Sequence, residues 1–316
     1  MKSEHLKKRL KKLGIVWALI LLCIVASIVS PNFRTAKNFI NVVRNVSING
    51  IIAVGMSFVI LTGGIDLSVG ASVNLVAAVT ALGFIHGLPP VVACLLGLSC
   101  GALVGFLNGI GITKGGVPPF IMTLGSVTAV SGLAMYITGG APQSWRKTPV
   151  NFDWLGRGIL FGIPFPIYIF VAVVVASFVI LRYTVFGRNV YAIGDSREAA
   201  RLSGINVDRV EIMVYTISGF LAALSSLVLM SRLGVGEPTS GDGCELDAIA
   251  MVIIGGTSAA GGTGSVLGTV VGAALLSVLA NLLNLIGISP FIQKIVKGLI
   301  IIAAILLEKF SKKEKK

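Results

Sequence analysis

The sequence predicts an all-α polytopic membrane protein with about ten transmembrane helices, some of them discontinuous. Of its 316 residues, 55% are hydrophobic and only 12% are charged, and the mean hydropathy is +0.93. Apolar runs close to the length needed to cross a bilayer, about 20 residues, recur along the whole chain. The 39 glycines and the scarcity of aromatic residues favour helices that pack closely through small side chains.

Ten spans follow from these runs in chain order. The first, 13–30, is longer than the apolar region of a usual signal peptide and lacks a clear cleavage site, so we interpret it as a retained span. A polar, amphipathic connector is predicted at 31–46. The remaining spans are predicted near 47–62, 67–85, 90–112, 118–138, 164–182, 210–231, 246–256, 262–286 and 290–307. The pieces 47–62 and 246–256 are short and end in Gly-Gly, which is typical of discontinuous helices.

The chain is predicted to contain one transmembrane domain, 13–307, and three polar segments. A basic head, 1–12, precedes it, a polar loop, 183–210, interrupts it, and a basic tail, 308–316, follows it. With strict alternation from an inside N-terminus, the inner segments carry seventeen Lys and Arg residues and the outer segments seven. This asymmetry obeys the positive-inside rule and places both termini and the long loop in the cytoplasm. It also accounts for the net charge of +13, so no nucleic-acid partner is predicted.

Glycine rows mark two of the spans as close-packing helices. The rows are Gly97, Gly101, Gly105 and Gly109 in one span and Gly264, Gly268 and Gly272 in another. Each row leaves a groove in which the backbone of a neighbouring helix can lie. Two self-similarities suggest that the halves of the chain are inverted repeats, but with different offsets. The segment from Asn108 to Pro119 resembles 284–290, five spans later, whereas 63–70 resembles 261–268.

The long polar loop contains a short helix whose two ends are marked in the sequence. Asp195 is predicted to cap its free N–H groups, with Glu198 reaching back as in a capping box. Gly204 is predicted to end it, because glycine adopts a left-handed backbone without a Cβ clash. The apolar residues between these ends form a small patch: Ala199, Ala200 and Leu202. So short a helix is unstable alone, and we expect a partner surface to hold it.

Polar residues beside the Gly-Gly breaks are candidates for the path of a polar solute. The stretch 63–74 combines an unwound Gly-Gly with polar residues at a helix start, and 244–262 has a similar composition. The simpler interpretation, a turn with an Asp or Ser helix cap, is compatible with this one, since a cap can face a cavity. Lys297 would lie roughly 16 Å above an inner edge set by Glu308, where an ionisable residue is expected to face the protein interior or water. The candidate path residues are Gly63, Gly64, Asp66, Ser68, Asn74, Asn108, Asp247, Thr257 and Lys297.

Three long motifs in fixed order resemble the permease subunits of ribose-type monosaccharide importers of the ATP-binding-cassette (ABC) class. They are GGIDLSVG, GRNVYAIGDSREAARLSGINVDRV and ELDAIAMVIIGGTSAAGGTGSVLGT, and the likeness extends from about residue 40 to 307. Glu198-Ala199-Ala200, followed by Gly204, is similar to the element through which such permeases contact their ATPase. The proline-containing end of that element, as found in other importer classes, is absent here.

The resemblance implies a sugar-translocating subunit in the bacterial cytoplasmic membrane, with no catalytic residue, metal or cofactor of its own. It also implies several partners: a second permease copy or close homologue, a cytoplasmic ATPase whose two nucleotide-binding halves hold ATP and Mg, an extracytoplasmic sugar-binding protein, and membrane lipid. The loop 256–263 agrees with this, since it looks like a phosphate loop but has Gly where the required Lys would stand.

Two other classes of function stand as alternatives. A secondary, ion-coupled transporter or a channel would need a coupling carboxylate deep in a span. Asp66 and Asp247 are the only candidates for it, and both lie near predicted helix starts. An accessory membrane subunit would transport nothing when paired with an ATPase.

Overall fold

The computed structural model describes residues 14–313, and these form helices joined by short connections and one small hairpin. In chain order the elements are α1 (Gly14–Val29), a 3₁₀ turn (Pro31–Arg34), α2 (Ala36–Leu61), α3 (Val69–Ile85), α4 (Pro90–Thr113), α5 (Pro119–Thr138), α6 (Trp154–Arg157), β1 (Ile159–Leu160), β2 (Ile163–Pro164), α7 (Phe165–Tyr183), α8 (Val185–Asp195), α9 (Arg197–Leu202), α10 (Val207–Leu233), α11 (Cys244–Ile254), α12 (Val266–Leu285) and α13 (Pro290–Lys313). The predicted basic head lies outside the described residues.

The all-α membrane architecture is confirmed. Six helices in the described part of the chain are long and apolar enough to cross a membrane: α2, α4, α5, α7, α10 and α12. Helices α1 and α3 are apolar but shorter, and α11 has only 11 residues. Each predicted span corresponds to one of the observed helices, and most ends differ by a few residues.

The predicted polar connector at 31–46 is wrong, because helix α2 begins at Ala36. Two of its polar residues, Asn38 and Asn45, contact other helices, whereas most of the others are exposed. Asn38 and Asn281 of α12 exchange two hydrogen bonds, at 3.0 and 2.8 Å. Asn45 accepts a hydrogen bond from Arg232 at the end of α10, at 2.6 Å. Polar side chains that are paired in this way can lie within a buried helix.

Helices α2, α3 and α10 form the centre of the molecule. In the most apolar stretches of α2 and α10, 72% and 61% of the residues are buried. The corresponding fractions in α4, α5 and α7 are 22%, 11% and 22%. The glycine row of α4 packs directly on the α10 backbone: a Cβ on Gly105 would collide with the Tyr215 carbonyl. Gly268 and Gly272 of α12 pack in the same way on α11. Gly264 does not belong to that row, because it precedes α12 in the connecting loop.

The two halves of the molecule repeat one order of elements. In each half a long helix is followed by a break, a short helix and two further helices, namely α2–α5 and α10–α13. The short helix packs against the two that follow it in both halves. The repeat is offset by five spans, an odd number, so the two copies run in opposite directions through the membrane. This order agrees with the similarity of 108–119 to 284–290. It disagrees with the other self-similarity, that of 63–70 to 261–268.

The polar loop is more structured than the sequence analysis predicted. It contains two helices, α8 and α9, in place of one. Helix α8 buries Val190 and Ile193 against the main apolar core. The loop therefore packs on the membrane-spanning helices and does not extend freely from them.

Candidate translocation path and coupling surface

Helix α3 begins near mid-depth. Ser218 and Ser226 lie in the middle part of the 27-residue helix α10. They donate hydrogen bonds to the Asp66 carboxylate, at 2.8 Å, and to the Val73 carbonyl, at 2.7 Å. The start of α3 is therefore level with the middle of α10. Since an α-helix rises about 1.5 Å per residue, a chain break at this level lies well inside the bilayer.

Helix α11 begins at the same level and runs the other way. A Cβ on Gly70 of α3 would collide with the Glu245 carboxylate and the Gly241 carbonyl at the start of α11. Asn74 completes the contact: its amide oxygen accepts from the Gly241 N–H and its amide nitrogen donates to Asp242, both at 2.7 Å. The N-termini of α3, with 17 residues, and α11, with 11 residues, thus meet level with the middle of α10. We call these two helices the half-helices, because each begins inside the bundle. Their free N–H groups and helix dipoles suit the electronegative oxygens of a polar solute.

Asp66 lies in the break between α2 and α3 and is completely buried. Its carboxylate accepts from the Ser68 N–H at 3.0 Å, the Ser68 hydroxyl at 2.6 Å and the Ser218 hydroxyl at 2.8 Å. Ser68 also accepts from Asn108 of α4 at 2.8 Å, and Asn108 accepts from Ser126 of α5. One hydrogen-bond network therefore joins the break to α4, α5 and α10. Polar groups that are hydrogen-bonded to one another in an apolar interior are costly to separate, so this network fixes the position of the start of α3.

Lys297 of α13 pairs with Asp247 of α11. The Lys297 Nζ lies 2.6 Å from the Asp247 Oδ2, and the two side chains are 31% and 21% exposed. Lys297 therefore faces the helix bundle, as expected from its depth, and each charge neutralises the other. The pair ties α11 to α13, the last helix of the described residues.

The predicted path residues fall into two groups. Six of them are buried within the subunit: Gly64, Asp66, Ser68, Asn74, Asn108 and Thr257. The others, Gly63, Asp247 and Lys297, keep some exposure. In this conformation the buried group supports the two half-helices, and only the exposed group is open to a solute. A role for either group in translocation stays a prediction.

The short helix of the polar loop is α9, and its N-terminal cap differs from the prediction. Ser196 is the N-cap, since its hydroxyl accepts from the Ala199 N–H at 3.2 Å. The assignment to Asp195 is wrong, because that residue ends helix α8. The capping box with Glu198 is also absent: the Ser196 N–H donates to the Ala192 carbonyl at 3.1 Å. Asp and Ser are comparable caps, so sequence alone did not separate these neighbours.

Helix α9 makes contacts with its own chain that the sequence did not predict, and the expectation that a partner surface also holds it stays a prediction. Arg197 pairs with Glu211 of α10 at 2.8 Å, and Arg201 pairs with Asp208 at 3.4 Å. Ala200, predicted to belong to an exposed patch, is only 4% exposed and packs into the main apolar core. These contacts compensate for the instability of a single short helix.

The exit of α9 and its outer face agree with the prediction. Gly204 has a φ of +84°. Its N–H donates to the Arg201 carbonyl at 3.0 Å, and the Ile205 N–H donates to the Ala200 carbonyl at 3.1 Å. These two bonds define a Schellman motif. The outer face of the helix carries Glu198, Ala199 and Leu202, and Leu202 is 84% exposed.

Helix α8, which the sequence analysis missed, connects α9 to the half-helix region. A Cβ on Gly194 would collide with the backbone of Leu61, the end of α2, and of Gly262 in the loop after α11. The Gly262 N–H also donates to the Leu61 carbonyl at 3.0 Å. We call Leu61, Gly194 and Gly262 the glycine junction. Beside it Tyr191 donates to the Gly264 carbonyl at 3.1 Å, and burial raises the pKa of this phenol, so it stays protonated.

Comparison with known proteins places these features in a family context. The model of the family described as "Branched-chain amino acid transport system / permease component" matches residues 38–305. Ribose import permease protein RbsC of Bacillus subtilis (strain 168) is 46% identical over 308 residues, which cover 98% of this chain and 96% of the relative. RbsC of Escherichia coli (strain K12) is 42% identical over 293 residues, covering 92% and 91%.

A relative named for another sugar is more distant. Xylose transport system permease protein XylH of Escherichia coli (strain K12) is 34% identical over 341 residues, covering 89% of this chain and 87% of the relative. No solved structure matches the chain.

Proposed function

Because the chain belongs to the family of branched-chain amino acid transport permease components, we propose that it is the membrane-spanning subunit of an ATP-driven importer for a monosaccharide, ribose or a similar sugar. The observation that carries the proposal is the 42–46% identity to ribose import permeases over more than nine-tenths of the chain. The subunit moves the sugar and performs no chemistry on it.

Lys297, a cation near the half-helices, is already paired, which suits a neutral sugar better than an amino acid. A charged substrate gains most from groups of opposite charge that are free to pair with it. Here Asp247 and Lys297 neutralise each other at 2.6 Å, and Asp242 already accepts a hydrogen bond from Asn74. A neutral polyol requires only hydrogen-bonding groups and the exposed N–H groups of the helix starts.

The proposed assembly has the partners that such importers use. The exposed face of α9 is the docking site for a cytoplasmic ATPase, which binds ATP and Mg in its two halves. A second permease copy or close homologue completes the pathway, and an extracytoplasmic binding protein delivers the sugar. The seventeen basic residues of the inner segments support a cytoplasmic location for both termini and for α8–α9 in the bacterial inner membrane.

The function is tested by reconstituting the permease with its ATPase and binding protein in vesicles and following labelled ribose. We expect uptake that requires ATP on the side of the ATPase and persists when a protonophore collapses the proton gradient. Loss of uptake with the protonophore at constant ATP would identify an ion-coupled transporter. Uptake of leucine in place of ribose would reassign the substrate class, and no uptake at all would favour an accessory subunit.

Replacing Lys297 with Met should reduce uptake and lower the melting temperature. The substitution leaves the Asp247 carboxylate without its cation, and a partly buried pair of this kind is worth between about 0.5 and 4 kcal/mol. The double variant Lys297→Met with Asp247→Asn should recover most of the lost stability, because it removes both charges. Thermal unfolding and ribose uptake of the three proteins measure this.

The matched control is Lys294→Met, one turn away on the same helix and exposed. It removes the same charge without breaking an ion pair, so stability and uptake should stay at the level of the unmodified protein. If Lys297→Met behaves like this control, the pair contributes neither to the fold nor to transport.

A further inference from the structure

The short hairpin before α7 presents an aromatic residue that its own chain does not use. β1 and β2 pair antiparallel, and Phe161 and Gly162 form the two-residue turn between them, with φ of +50° and +79°. Positive φ at both positions is the type I′ pattern, which favours Asn-Gly. Phe161 is the only residue other than glycine with positive φ in the described part of the chain. A bulky residue in this conformation is strained, so its side chain must be stabilised from outside the turn.

Phe161 is the centre of an exposed apolar surface. Its side chain is 91% exposed, and apolar neighbours share this exposure: Trp154 at 53%, Ile159 at 61%, Leu160 at 44% and Ile163 at 42%. Contiguous apolar side chains outside a helix span are unfavourable in water and mark an interaction surface. We call these five residues the hairpin patch.

The position of the hairpin patch identifies its partner. β2 leads directly into the membrane-spanning helix α7, and Tyr168 in the first turn of α7 donates to the Leu160 carbonyl at 3.0 Å. The hairpin thus lies beside the start of a span and does not project away from it. Beyond the hairpin α7 continues with exposed valines along one side: Val171, Val175 and Val179. The apolar surface of the span therefore continues without a break into the hairpin patch.

We propose that the hairpin patch inserts into the outer headgroup and upper acyl region of the bilayer, with Phe161 as its anchor. Aromatic side chains at the ends of spans are typical of this depth. A soluble protein that approached from outside would meet the outer loops first, whereas the hairpin lies against the flank of α7. The partner is therefore a phospholipid surface.

The anchor is connected to the centre of the molecule. Helix α6, which precedes the hairpin, packs on the end of α10, where the Gly156 N–H donates to the Ser231 hydroxyl at 2.8 Å. Arg157 donates to the carbonyls of Arg232 and Leu233, at 2.7 and 3.2 Å. The hairpin patch consequently holds the outer end of α10 at a set level relative to the membrane surface. This inference holds for any transported solute.

Fluorescence quenching tests the proposal with the full-length protein in vesicles. A tryptophan is added in the variant Phe161→Trp, and in the control Ser144→Trp, an exposed site in the loop between α5 and α6. The fluorescence of the added tryptophan is obtained by subtracting the emission of the unmodified protein. Its quenching is measured with brominated phosphatidylcholine and with aqueous iodide. We expect lipid to quench the added emission of Phe161→Trp by at least half and iodide to leave it unchanged. The control should show the reverse.

Quenching of Phe161→Trp by iodide and not by lipid would overturn the proposal. So would protection from iodide that arises only when the binding protein is added, and so would protection from both quenchers in its absence. The first outcome identifies the binding protein as the partner, and the second identifies a second permease copy. A second variant, Phe161→Asn, suits the type I′ turn and removes the anchor. In detergent its melting temperature should equal or exceed that of the unmodified protein, because the strain at this position is relieved. On transfer to vesicles its melting temperature should rise by less than that of the unmodified protein. An equal increase in both proteins also contradicts a lipid anchor.

Discussion

Leu202→Arg should abolish co-purification of the ATPase and ATP-driven uptake while the permease reaches the membrane at its normal level. Leu202 is 84% exposed on the outer face of α9 and makes no contribution to the apolar core. If that face docks the ATPase, an arginine would be buried there without a partner, at a cost of several kcal/mol. Each 1.4 kcal/mol is a tenfold loss of affinity, so binding should weaken by at least about a hundredfold. Pull-down and transport assays measure it.

Ala200→Leu is the contrasting variant for this experiment. Ala200 packs into the main apolar core, so a larger side chain should lower the stability of the permease by roughly 1–3 kcal/mol through overpacking. Its folded fraction should still bind the ATPase. Purified ATPase should also bind inside-out vesicles and not right-side-out vesicles, which tests the cytoplasmic location of α9. Stoichiometric ATPase on Leu202→Arg would show that this face is not the docking site.

Gly194→Ala should stop uptake without releasing the ATPase. The glycine junction is the point where the polar loop touches both the end of α2 and the loop that follows the half-helix α11. A Cβ on Gly194 meets backbone atoms of Leu61 and Gly262, which cannot move aside as a flexible side chain can. Strain of roughly 1–3 kcal/mol follows from inserting a methyl group into such a contact. We infer that the junction transmits motion from α9 to α11, so uptake should fall at least about tenfold.

The same substitution at Gly125 provides the control. Gly125 also lies within a helix, α5, but an added Cβ there meets no atom within 4 Å. Gly125→Ala should therefore transport normally, and both variants should bind the ATPase. ATP hydrolysis and ribose uptake, measured in the same vesicles, separate transmission from docking. Uptake by Gly194→Ala that equals the control would exclude the glycine junction from coupling.

Apolar periodicity was sufficient to locate the membrane helices because the bilayer sets their length and composition. It failed at 31–46, where Asn38 and Asn45 belong to a helix and are paired with other helices. Their partners are far away in sequence, so no local pattern distinguishes them from a solvated connector. Helix α8 was missed although Val190 and Ile193 have helical spacing, since its charges favoured an exposed loop.

The types of residue at the candidate site could be predicted from the sequence, but the contacts between them could not. The Gly-Gly motifs correctly marked the breaks that follow α2 and α11. The expectation that 47–62 is a short piece is wrong, because it belongs to the 26-residue helix α2. That the two helix starts face each other depends on close contact between Gly70 and Gly241, which are separated by most of the chain. The sequence also predicted that Lys297 lies at mid-depth. Its pairing with Asp247 could not be predicted, because the pair depends on how α13 packs on α11.

The Asp66 network has a consequence for how the protein is made. Ser218, one of the two serines that donate to the buried carboxylate, is 152 residues further along the chain. At a synthesis rate of roughly 5–20 residues per second, Asp66 reaches the translocation channel on the order of ten seconds before this donor exists. Until then, of these donors only Ser68 is present, and a partly satisfied carboxylate is unfavourable in lipid. We therefore expect the nascent α3 to enter the membrane together with α10.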